Sequence, residues 1–549
     1  MNWKTHDVLN IVPELSDYNV YETDLALQEA VRHYGAGAHE ASLSRYGAKL
    51  GLASTIHAAE MANHNPPELY SFDRQGHRVD YVEFHPAWHD MMKMLREQNL
   101  VAQPFSDPRP GAWAAYAAGF SMHGQIEPGS QCPNSMTFAC IPVLQKEPAL
   151  FQGLSGKLYS TTYDSRDLPI DQKESILVGM GMTEKQGGSD VRSNTTTATA
   201  IPGSGAERAY ELVGHKWFFS APMCDAHLVL ARAEGGLSCF YVPRFRPDGS
   251  KNAVHIQRLK SKVGNRSNAS SEVEFLGAWG RMVGQEGRGV QTIIEMATYT
   301  RLNCVMGSTG MLRQAVVQAL HHARHRVAFG HPLIEQPLMK NVLADLALES
   351  EAATHLMMRL TDAFAQAKKD PLQRAYQRIV TPAAKYWVAK RTIEVSAEVM
   401  EVLGGNGYVN DSPTGRLYRE APVISIWEGS GNVMALDMLR AMRREPDAVA
   451  ALVDDLRDVC RDHKLLQKQL DELVAALALD DTSCEYQSRR EAQRLILLIQ
   501  ASLLRQYSPQ AVSDAFIASR FDAEWGRTFG LLPRGIQVSA ILERAWPAQ

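Results

Sequence analysis

The segment SIWEGSGN, which ends at position 432, contains one carboxylate, Glu428, between an indole and three small residues. A carboxylate in this place could act as a base towards a weakly acidic carbon, because glycines let a ligand come close to the backbone. It could equally lie in a surface loop, since Gly and Ser are typical turn residues. The segment alone leaves both interpretations open.

A second glycine-rich segment is GMTEKQGGSDV (181–191). It lies where the pattern of hydrophobic residues changes from one typical of helices to one typical of β-strands. Gly187 and Gly188 permit close backbone approach, and Thr183 and Ser189 add hydroxyls. Such a turn can present N–H groups to a flavin ring or a phosphate, although taken alone it is more typical of a connection between domains. It matches neither GxGxxG nor the Walker pattern, so neither a Rossmann site nor a P-loop is indicated.

Two further segments carry aromatic or cationic side chains that suit a cofactor. GHKWFFSAP places Trp217 and Phe218 in a strand pattern, where they could stack on a planar cofactor or belong to the core. In HRVAFGHPLIEQPL, the guanidinium of Arg326 suits a pyrophosphate and the ring of Phe329 an adenine face. The glycine and proline that follow also end a helical pattern, which is compatible with either interpretation.

The composition is that of an ordinary globular protein. The 549 residues are 45% hydrophobic and 21% charged, with a net charge of -4, so a nucleic-acid or membrane partner would need a local basic patch. The start of the chain has no apolar signal segment, and no run approaches the roughly 20 apolar residues that span a bilayer. The seven cysteines show no metal-ligand spacing, which predicts reduced thiols in the cytoplasm and no metal site.

Hydrophobic patterning divides the chain into regions of α+β order. Helical spacing dominates the first part, as in the segments 85–98 and 110–127, and short β-branched or aromatic runs then predict an antiparallel β domain. Helical patterns return after it. The predicted domains are an N-terminal extension and helical domain (1–180), a β domain (181–288), a helical bundle (289–440) and an extra C-terminal helical domain (441–549).

Four motifs, in order along the chain, resemble the acyl-CoA dehydrogenase family. The matched segments are TEKQGGSD (183–190), RVAFG (326–330), LGGNGY (403–408) and WEGSGN (427–432). They are similar to the family patterns TE(P)GxGSD, RxxFG, LGGxGY and YEGTxQ, and the last of these holds the catalytic glutamate of the family. Four ordered matches are far more specific than one, and the resemblance covers roughly residues 70 to 440.

The resemblance implies a helical domain, a β-barrel and a four-helix bundle that hold FAD. It also implies a homotetramer, in which the Arg326 segment of a neighbouring subunit reaches the FAD pyrophosphate. The residues that it assigns to FAD are Met182, Thr183, Gly188, Ser189, Trp217, Phe218, Ser220, Arg326, Phe329, Gln336, Gly404, Gly405, Ser430 and Asn432. Arg301 and Trp427 are assigned to an acyl-CoA substrate.

For Glu428 the resemblance implies removal of the α-proton of an acyl thioester, while a hydride leaves the β-carbon for the flavin. Burial beside an indole should raise the pKa of this carboxylate, which favours base catalysis. The segment departs from the family pattern, because Trp427 replaces a tyrosine, Ser430 a threonine and Asn432 a glutamine. The larger indole predicts a narrow acyl pocket, and a retained but idle glutamate stays an open alternative.

Longer segments and the extra C-terminal region resemble a branch of the family that belongs to the bacterial response to DNA alkylation. That branch implies binding of double-stranded DNA together with weak dehydrogenase activity. The alternative is an active dehydrogenase for short or branched acyl-CoA, without a DNA role.

The C-terminal region is the place to separate these alternatives. From Arg489 onward it has eight arginines, five acidic residues and no lysine. Arg490, Arg494 and Arg505 fall within about 60° of one another on an ideal helix. They could follow the phosphates of DNA or form an ordinary solvated face. Further candidates for contact with DNA are Arg520, Arg527 and Arg534.

Overall fold

The computed structural model describes residues 3–203, 208–367, 370–521, 529, 532 and 535–546. These residues form two compact units. The helical unit contains the described residues up to Ala53, Trp113–Ile126 and the described residues from Cys304 onward, and the sheet unit contains Ser54–Ala112 and Glu127–Asn303. The domain boundaries predicted from the sequence remain a prediction. No helix in the described ranges is long and apolar enough to cross a membrane.

Helices and strands are numbered in chain order. The helices are α1 (Leu25–His33), α2 (Glu40–Leu50), α3 (Ala53–His64), α4 (Pro86–Glu97), α5 (Gln103–Ser106), α6 (Ala112–Ile126), α7 (Gln131–Leu144), α8 (Pro148–Tyr159), α9 (Gly289–His325), α10 (Pro337–Gln366), α11 (Pro371–Ala375), α12 (Thr381–Leu403), α13 (Gly405–Tyr408), α14 (Pro413–Ile426), α15 (Gly431–Arg444), α16 (Pro446–Cys460), α17 (Lys464–Leu477), α18 (Asp481–Tyr507), α19 (Gln510–Arg520) and α20 (Val538–Ala545). The strands are β1 (Glu68–Phe72), β2 (Arg78–Glu83), β3 (Val178–Gly181), β4 (Thr197–Ala200), β5 (Ala209–Ser220), β6 (Ala226–Ala233), β7 (Gly236–Pro243), β8 (Val254–Leu259), β9 (Ser270–Val283), β10 (Val327–Ala328) and β11 (His331–Pro332).

The main sheet closes on itself. Among the described residues, seven strands pair in the order β3-β6-β4-β5-β9-β7, with β8 beside β9. Because β7 also pairs with β6, from Ala226 opposite Pro243 to Ala233 opposite Gly236, the sheet forms a barrel. Nearly every residue of β6 and β7 is buried, as their continuous apolar sequences indicate. The α+β fold with a central β-barrel is therefore confirmed. The prediction of an antiparallel domain holds only in part, because β3 and β4 each pair with β6 in parallel.

The patterns that predicted helices at 85–98 and 110–127 are confirmed by α4 and α6. Helix α4 begins after His85, whose ring nitrogen accepts a hydrogen bond from the N–H of Ala87 at 3.2 Å. Pro86 stands in the first turn, where its missing N–H leaves no donor unsatisfied.

Residues 1–180, where helical spacing dominates the sequence, also contain a hairpin formed by β1 and β2 that the sequence did not predict. Its strands are joined by a turn in which Asp73 accepts hydrogen bonds from the N–H groups of Gln75 and His77. Gly76, at φ +87°, completes the turn. The hairpin escaped prediction because β1 alternates only between half-exposed and exposed residues, which leaves no apolar face to read from its sequence.

In the helical unit, α12 packs against α14, α15 and α18. Close contact between α6 and α9 depends on Gly310, since a Cβ atom built on it would lie 2.2 Å from the carbonyl oxygen of Ser121. Glycine is therefore required where these two helices meet. The C-terminal helices α18 and α20 also pack on α10, so the extra region shares the core of the bundle.

A buried ion network joins α19 to this bundle. Arg520 is fully buried, with its guanidinium 2.6 Å from Asp345 Oδ1 and 2.8 Å from Glu349 Oε1. Arg391 of α12 contacts the other oxygen of Glu349 at 3.1 Å. The expectation that Arg520 contacts DNA is wrong, because the protein interior encloses its guanidinium. Arg527 and Arg534 lie outside the described residues.

Candidate functional site

Glu428 lies in the short loop between α14 and α15. The N–H of Trp427 still bonds to the carbonyl of Val423 at 3.0 Å, and α15 begins at Gly431. Glu428 has φ +57° and Gly429 has φ +107°, so the chain reverses sharply at the carboxylate. A left-handed backbone is uncommon for glutamate and stores strain that recurs at functional sites. The Glu428 side chain is half-buried, where the sequence led us to expect full burial.

A glycine turn ends α12 in the same unit. Gly404 has φ +64°, and its N–H bonds to the carbonyl of Glu401 at 2.9 Å. Among the described residues, no atom comes within 4 Å of a Cβ built on Gly404 or Gly405, so this backbone borders open space. At the start of α15, the hydroxyl of Ser430 does not cap the helix and Asn432 is exposed. These four residues are therefore accessible to a ligand.

In the sheet unit, the glycine-rich segment folds against the C-terminal part of strand β5. The N–H of Trp217 donates to the carbonyl of Thr183 at 2.9 Å, and Asn194 donates to the carbonyl of Met182 at 2.8 Å. A Cβ built on Gly188 would lie 2.5 Å from Thr183 Oγ1, so the tight fold of this segment requires glycine. The structure thus brings Met182, Thr183, Gly188 and Trp217 together, with Ser189 exposed beside them.

A fully buried ion pair supports this segment from below. The Nζ of Lys216 lies 2.7 Å from Glu184 Oε1 and also donates to the carbonyl of Leu230 at 2.8 Å. Burial by itself would raise the pKa of Glu184, but attraction to Lys216 and hydrogen bonds from Thr195 and Thr196 outweigh it and lower this pKa to about 2. Sequence reasoning missed this pair, although a lysine between aromatic residues in a strand was a signal for a buried partner.

Cations cover the indole of Trp217 in strand β5. The Nζ of Lys260 lies 3.3 Å from the ring centroid, and Lys185 and Arg258 lie 5.6 Å and 5.7 Å from it. Such contacts hold an aromatic ring in place through its quadrupole. The neighbouring ring of Phe218 is 56% exposed, and Ser220 is half-buried at the end of the strand.

The Arg326 segment forms a small hairpin, β10 and β11, beyond the end of α9. A guanidinium nitrogen of Arg326 donates to the carbonyl of Asn10 at 2.5 Å. The amide of Gln336 donates to the carbonyl of Ala328 at 3.0 Å. At the tip, Phe329 has φ +54° and is 96% exposed.

The two residues assigned to the substrate belong to different compact units. Arg301 is buried in the part of α9 that belongs to the sheet unit. Trp427 is half-buried in the helical unit, and its indole N–H is buried without a hydrogen-bond partner among the described residues. The assigned cofactor residues likewise form two groups, the 182–220 group in the sheet unit and the remainder in the helical unit.

The arginines assigned to DNA differ in exposure. Arg490 is exposed on α18. Arg494 has 11% of its side chain exposed and lies 2.6 Å from Glu491 and 3.0 Å from Glu472. Arg505 donates to the carbonyl of Val459 and pairs with Asp462 at 2.7 Å. Their common helical face is therefore largely neutralised by acidic neighbours, which an ideal-helix projection of one segment does not include.

No group of three or more His, Cys, Asp or Glu side chains that could hold a metal ion occurs in the described part of the chain. All seven cysteines are buried thiols.

Three family models match consecutive parts of the chain. Residues 10–165 match "Adaptive response protein AidB N-terminal domain", residues 179–277 match "Acyl-CoA dehydrogenase, middle domain" and residues 287–443 match "Acyl-CoA dehydrogenase, C-terminal domain". The chain is 46% identical over 531 residues, 96% of each chain, to a protein of Escherichia coli K12 described as "Putative acyl-CoA dehydrogenase AidB".

Two solved structures share the fold over most of the chain. The structure described as "Bd2924 apo-form" is 28% identical and superposes with a TM-score of 0.84, over 91% of this chain and 100% of its own. The structure of Caenorhabditis elegans ACDH-11 in complex with C11-CoA is 24% identical, with a TM-score of 0.86 over 98% and 97% of the two chains. The second likeness supports the fold alone.

The chain belongs to the acyl-CoA dehydrogenase family, a class of FAD-dependent oxidoreductases. Within this family it is of the AidB type, because the N-terminal family model and the match across almost the whole Escherichia coli protein both point to that branch.

Proposed function

We propose that this chain is an AidB-type flavoprotein that oxidises an acyl thioester weakly between its α and β carbons and binds double-stranded DNA. The observation that carries the enzymatic part is the backbone of Glu428. It is held at φ +57° in the loop before α15, at the position that matches the catalytic glutamate of the family. A strained carboxylate in a ligand-accessible loop is better explained by chemistry than by an ordinary surface turn.

The residues assigned to FAD fit such a ligand by their exposure. The Gly404–Gly405 turn borders open space, so backbone N–H groups can approach a ligand there. Phe218 and Phe329 are 56% and 96% exposed and offer faces on which planar rings can stack. We therefore assign FAD to both residue groups described above. When bound, FAD supplies the acceptor for the hydride that leaves the substrate.

In this proposal the Glu428 carboxylate accepts the α-proton of the acyl thioester. That proton is weakly acidic, so its removal requires a base fixed within hydrogen-bond distance and donors for the charge that develops on the thioester oxygen. In this proposal, backbone N–H groups of the loop around Gly429 serve as such donors. The indole of Trp427 limits the space beside the base and so restricts the acyl chain.

The test is anaerobic mixing of the purified, FAD-containing protein with acyl-CoA of increasing length while flavin absorbance is followed. We expect about one FAD per chain and slow bleaching with short or branched acyl groups, because Trp427 narrows the pocket and binding differs by about 1–3 kcal/mol per misplaced methylene. Bleaching that is faster with long straight chains would contradict the narrow pocket. Protein that cannot be reconstituted with FAD would contradict the whole assignment.

We further expect Arg326→Ala to lower FAD content and weaken assembly together, because we propose a homotetramer in which this hairpin contacts a neighbouring subunit. The support is the guanidinium fixed by Asn10 and the exposed ring of Phe329 beside it. The measurement is FAD per chain and molar mass by light scattering. Arg74→Ala, an exposed change in the sheet unit, is the matched control. Full FAD content with an unchanged mass in Arg326→Ala would contradict this role.

The DNA part of the proposal rests on the exposed arginines of α15 and α18, two helices that pack together. Arg440 and Arg444 are exposed on α15, and Arg489 and Arg490 on α18. Guanidinium groups bind phosphates well, and a chain of net charge -4 needs such a local patch. A role in the response to DNA alkylation is supported by the description of the matching N-terminal model as an adaptive response protein.

Exposed arginines and arginines that are paired with acidic residues give a matched pair of variants for this test. The first is a triple variant in which Arg440, Arg444 and Arg490 are each replaced by serine. It should bind a labelled duplex more weakly whatever the DNA sequence, and the salt dependence of binding should be smaller. Arg494→Ser with Arg505→Ser should leave the salt dependence unchanged, because both side chains already pair with acids. The measurement is fluorescence anisotropy from about 50 to 200 mM salt. Absence of binding by the wild type at the lowest salt would leave a dehydrogenase without a DNA role.

A further inference from the structure

A buried lysine holds the loop that carries Glu428. Lys385 lies in the first turns of α12 and is 1% exposed. Its Nζ donates to the carbonyl of Trp427 at 2.7 Å and to the carbonyl of Gly429 at 2.5 Å. These are the residues immediately before and after Glu428, so one ammonium group is bound to both sides of the carboxylate-bearing residue.

This arrangement follows from the shape of the loop. The last carbonyls of α14 have no partner within their own helix, and the chain reverses where Glu428 adopts φ +57°. The reversal turns the carbonyls of Trp427 and Gly429 towards the same donor on α12. An ammonium group suits this place because it has three donors and a full charge, and charge-assisted hydrogen bonds are about twice as strong as neutral ones.

We infer that Lys385 is a positioning residue for the base: its two hydrogen bonds keep Glu428 in the left-handed conformation from which the carboxylate reaches the substrate. The inference rests on the proposed dehydrogenase function. Without these hydrogen bonds, Glu428 would readily leave the left-handed conformation, which is unfavourable for a residue with a side chain. The carboxylate would then move too far from the substrate for efficient proton transfer. Catalysis depends steeply on such placement, since an error of about 1 Å can cost about 100-fold in rate.

The first measurement concerns the loop itself and uses the chain without FAD. Lys385→Met keeps the length and burial of the side chain but removes all three donors. We expect the peptide that contains residues 426–432 to exchange its amide hydrogens about tenfold faster, because two hydrogen bonds to its backbone are lost. Lys464→Met, the same change at an exposed position of α17, is the control. Unchanged exchange in Lys385→Met would overturn the inference.

The second measurement concerns the reaction in the FAD-loaded protein. In Lys385→Met the limiting rate of acyl-CoA-dependent flavin bleaching should fall about 10- to 100-fold, while FAD content and the half-saturating acyl-CoA concentration stay the same. Lys385→Arg, which retains a charged donor, should recover part of the rate. A merely structural lysine would lower FAD content and substrate binding together with the rate, and this outcome would contradict a positioning role.

The two ways of failing are distinct. If the wild type bleaches and Lys385→Met bleaches equally fast, the inference is wrong while the dehydrogenase function stands. If no acyl-CoA bleaches the flavin of the wild type, the dehydrogenase function is wrong, and the positioning role is then wrong as well.

Discussion

Replacement of Glu428 by glutamine is expected to abolish measurable acyl-CoA-dependent bleaching of the flavin, a loss of about 100- to 10,000-fold if Glu428 is the base. Glutamine retains the shape and most contacts of the side chain but cannot accept a proton at a useful pKa. FAD content should remain that of the wild type, because no cofactor contact is assigned to this carboxylate. The measurement is single-turnover absorbance under anaerobic conditions, with FAD released and counted in parallel.

A matched control is Glu485→Gln, which makes the same chemical change at an exposed position of α18 and should bleach like the wild type. Glu428→Asp adds a test of distance. It keeps a carboxylate on a side chain shorter by one methylene, so we expect a rate between those of the wild type and Glu428→Gln. Equal bleaching by Glu428→Gln and the wild type would show that another group accepts the proton, and the idle-glutamate alternative would then be correct.

Arg520→Met is expected to lower the free energy of unfolding by about 3–5 kcal/mol, the usual effect of breaking a buried ion pair from one side. The change leaves Asp345 and Glu349 buried close together, with Arg391 as the remaining cation on Glu349. The measurement is the melting temperature of the FAD-containing protein, confirmed by a shift in the urea midpoint. Arg490→Met, on the exposed face of α18, is the control and should change stability by less than about 0.5 kcal/mol.

The same variant should respond to pH in a defined direction. Burial alone would raise the pKa of Glu349, but attraction to Arg391 and Arg520 outweighs it and lowers this pKa in the wild type. A lowered pKa stabilises the folded state at neutral pH, and the benefit is lost as the pH falls. Without Arg520 the pKa should rise, so protonation relieves the buried charge. The stability difference between Arg520→Met and the wild type should therefore narrow as the pH is lowered towards about 4.3, the usual pKa of glutamate. A constant difference would contradict the electrostatic explanation.

The elements that the sequence predicted best are those whose burial pattern repeats along a single segment. Helices α4 and α6 and strands β6 and β7 belong to this group, because each has an apolar pattern that is local. The β1–β2 hairpin does not, since its half-exposed strands are held by the Asp73 turn and by pairing with each other. A pairing partner is not written in the periodicity of one strand.

The candidate site shows the same division. Motif spacing identified Glu428, the Gly404–Gly405 turn and the 183–190 segment as candidates, and these assignments remain predictions about chemistry. No local signal indicated that Lys385 would donate to the carbonyls on both sides of Glu428, because 43 positions separate the lysine from the glutamate. The lysine in GHKWFFS was visible, but its partner Glu184 was not.

The sequence by itself determined the family, the α+β order and the residue types available for acyl thioester chemistry, because these are properties of motifs and of local periodicity. Only the tertiary structure decided which charges are free to meet a ligand. Arg490, Arg494 and Arg520 are equally cationic in the sequence, yet the first is exposed, the second is paired with two acids and the third is enclosed between Asp345 and Glu349. The physical reason is that the fate of a charge depends on burial and on partners brought from distant segments, and neither exists until the chain has folded.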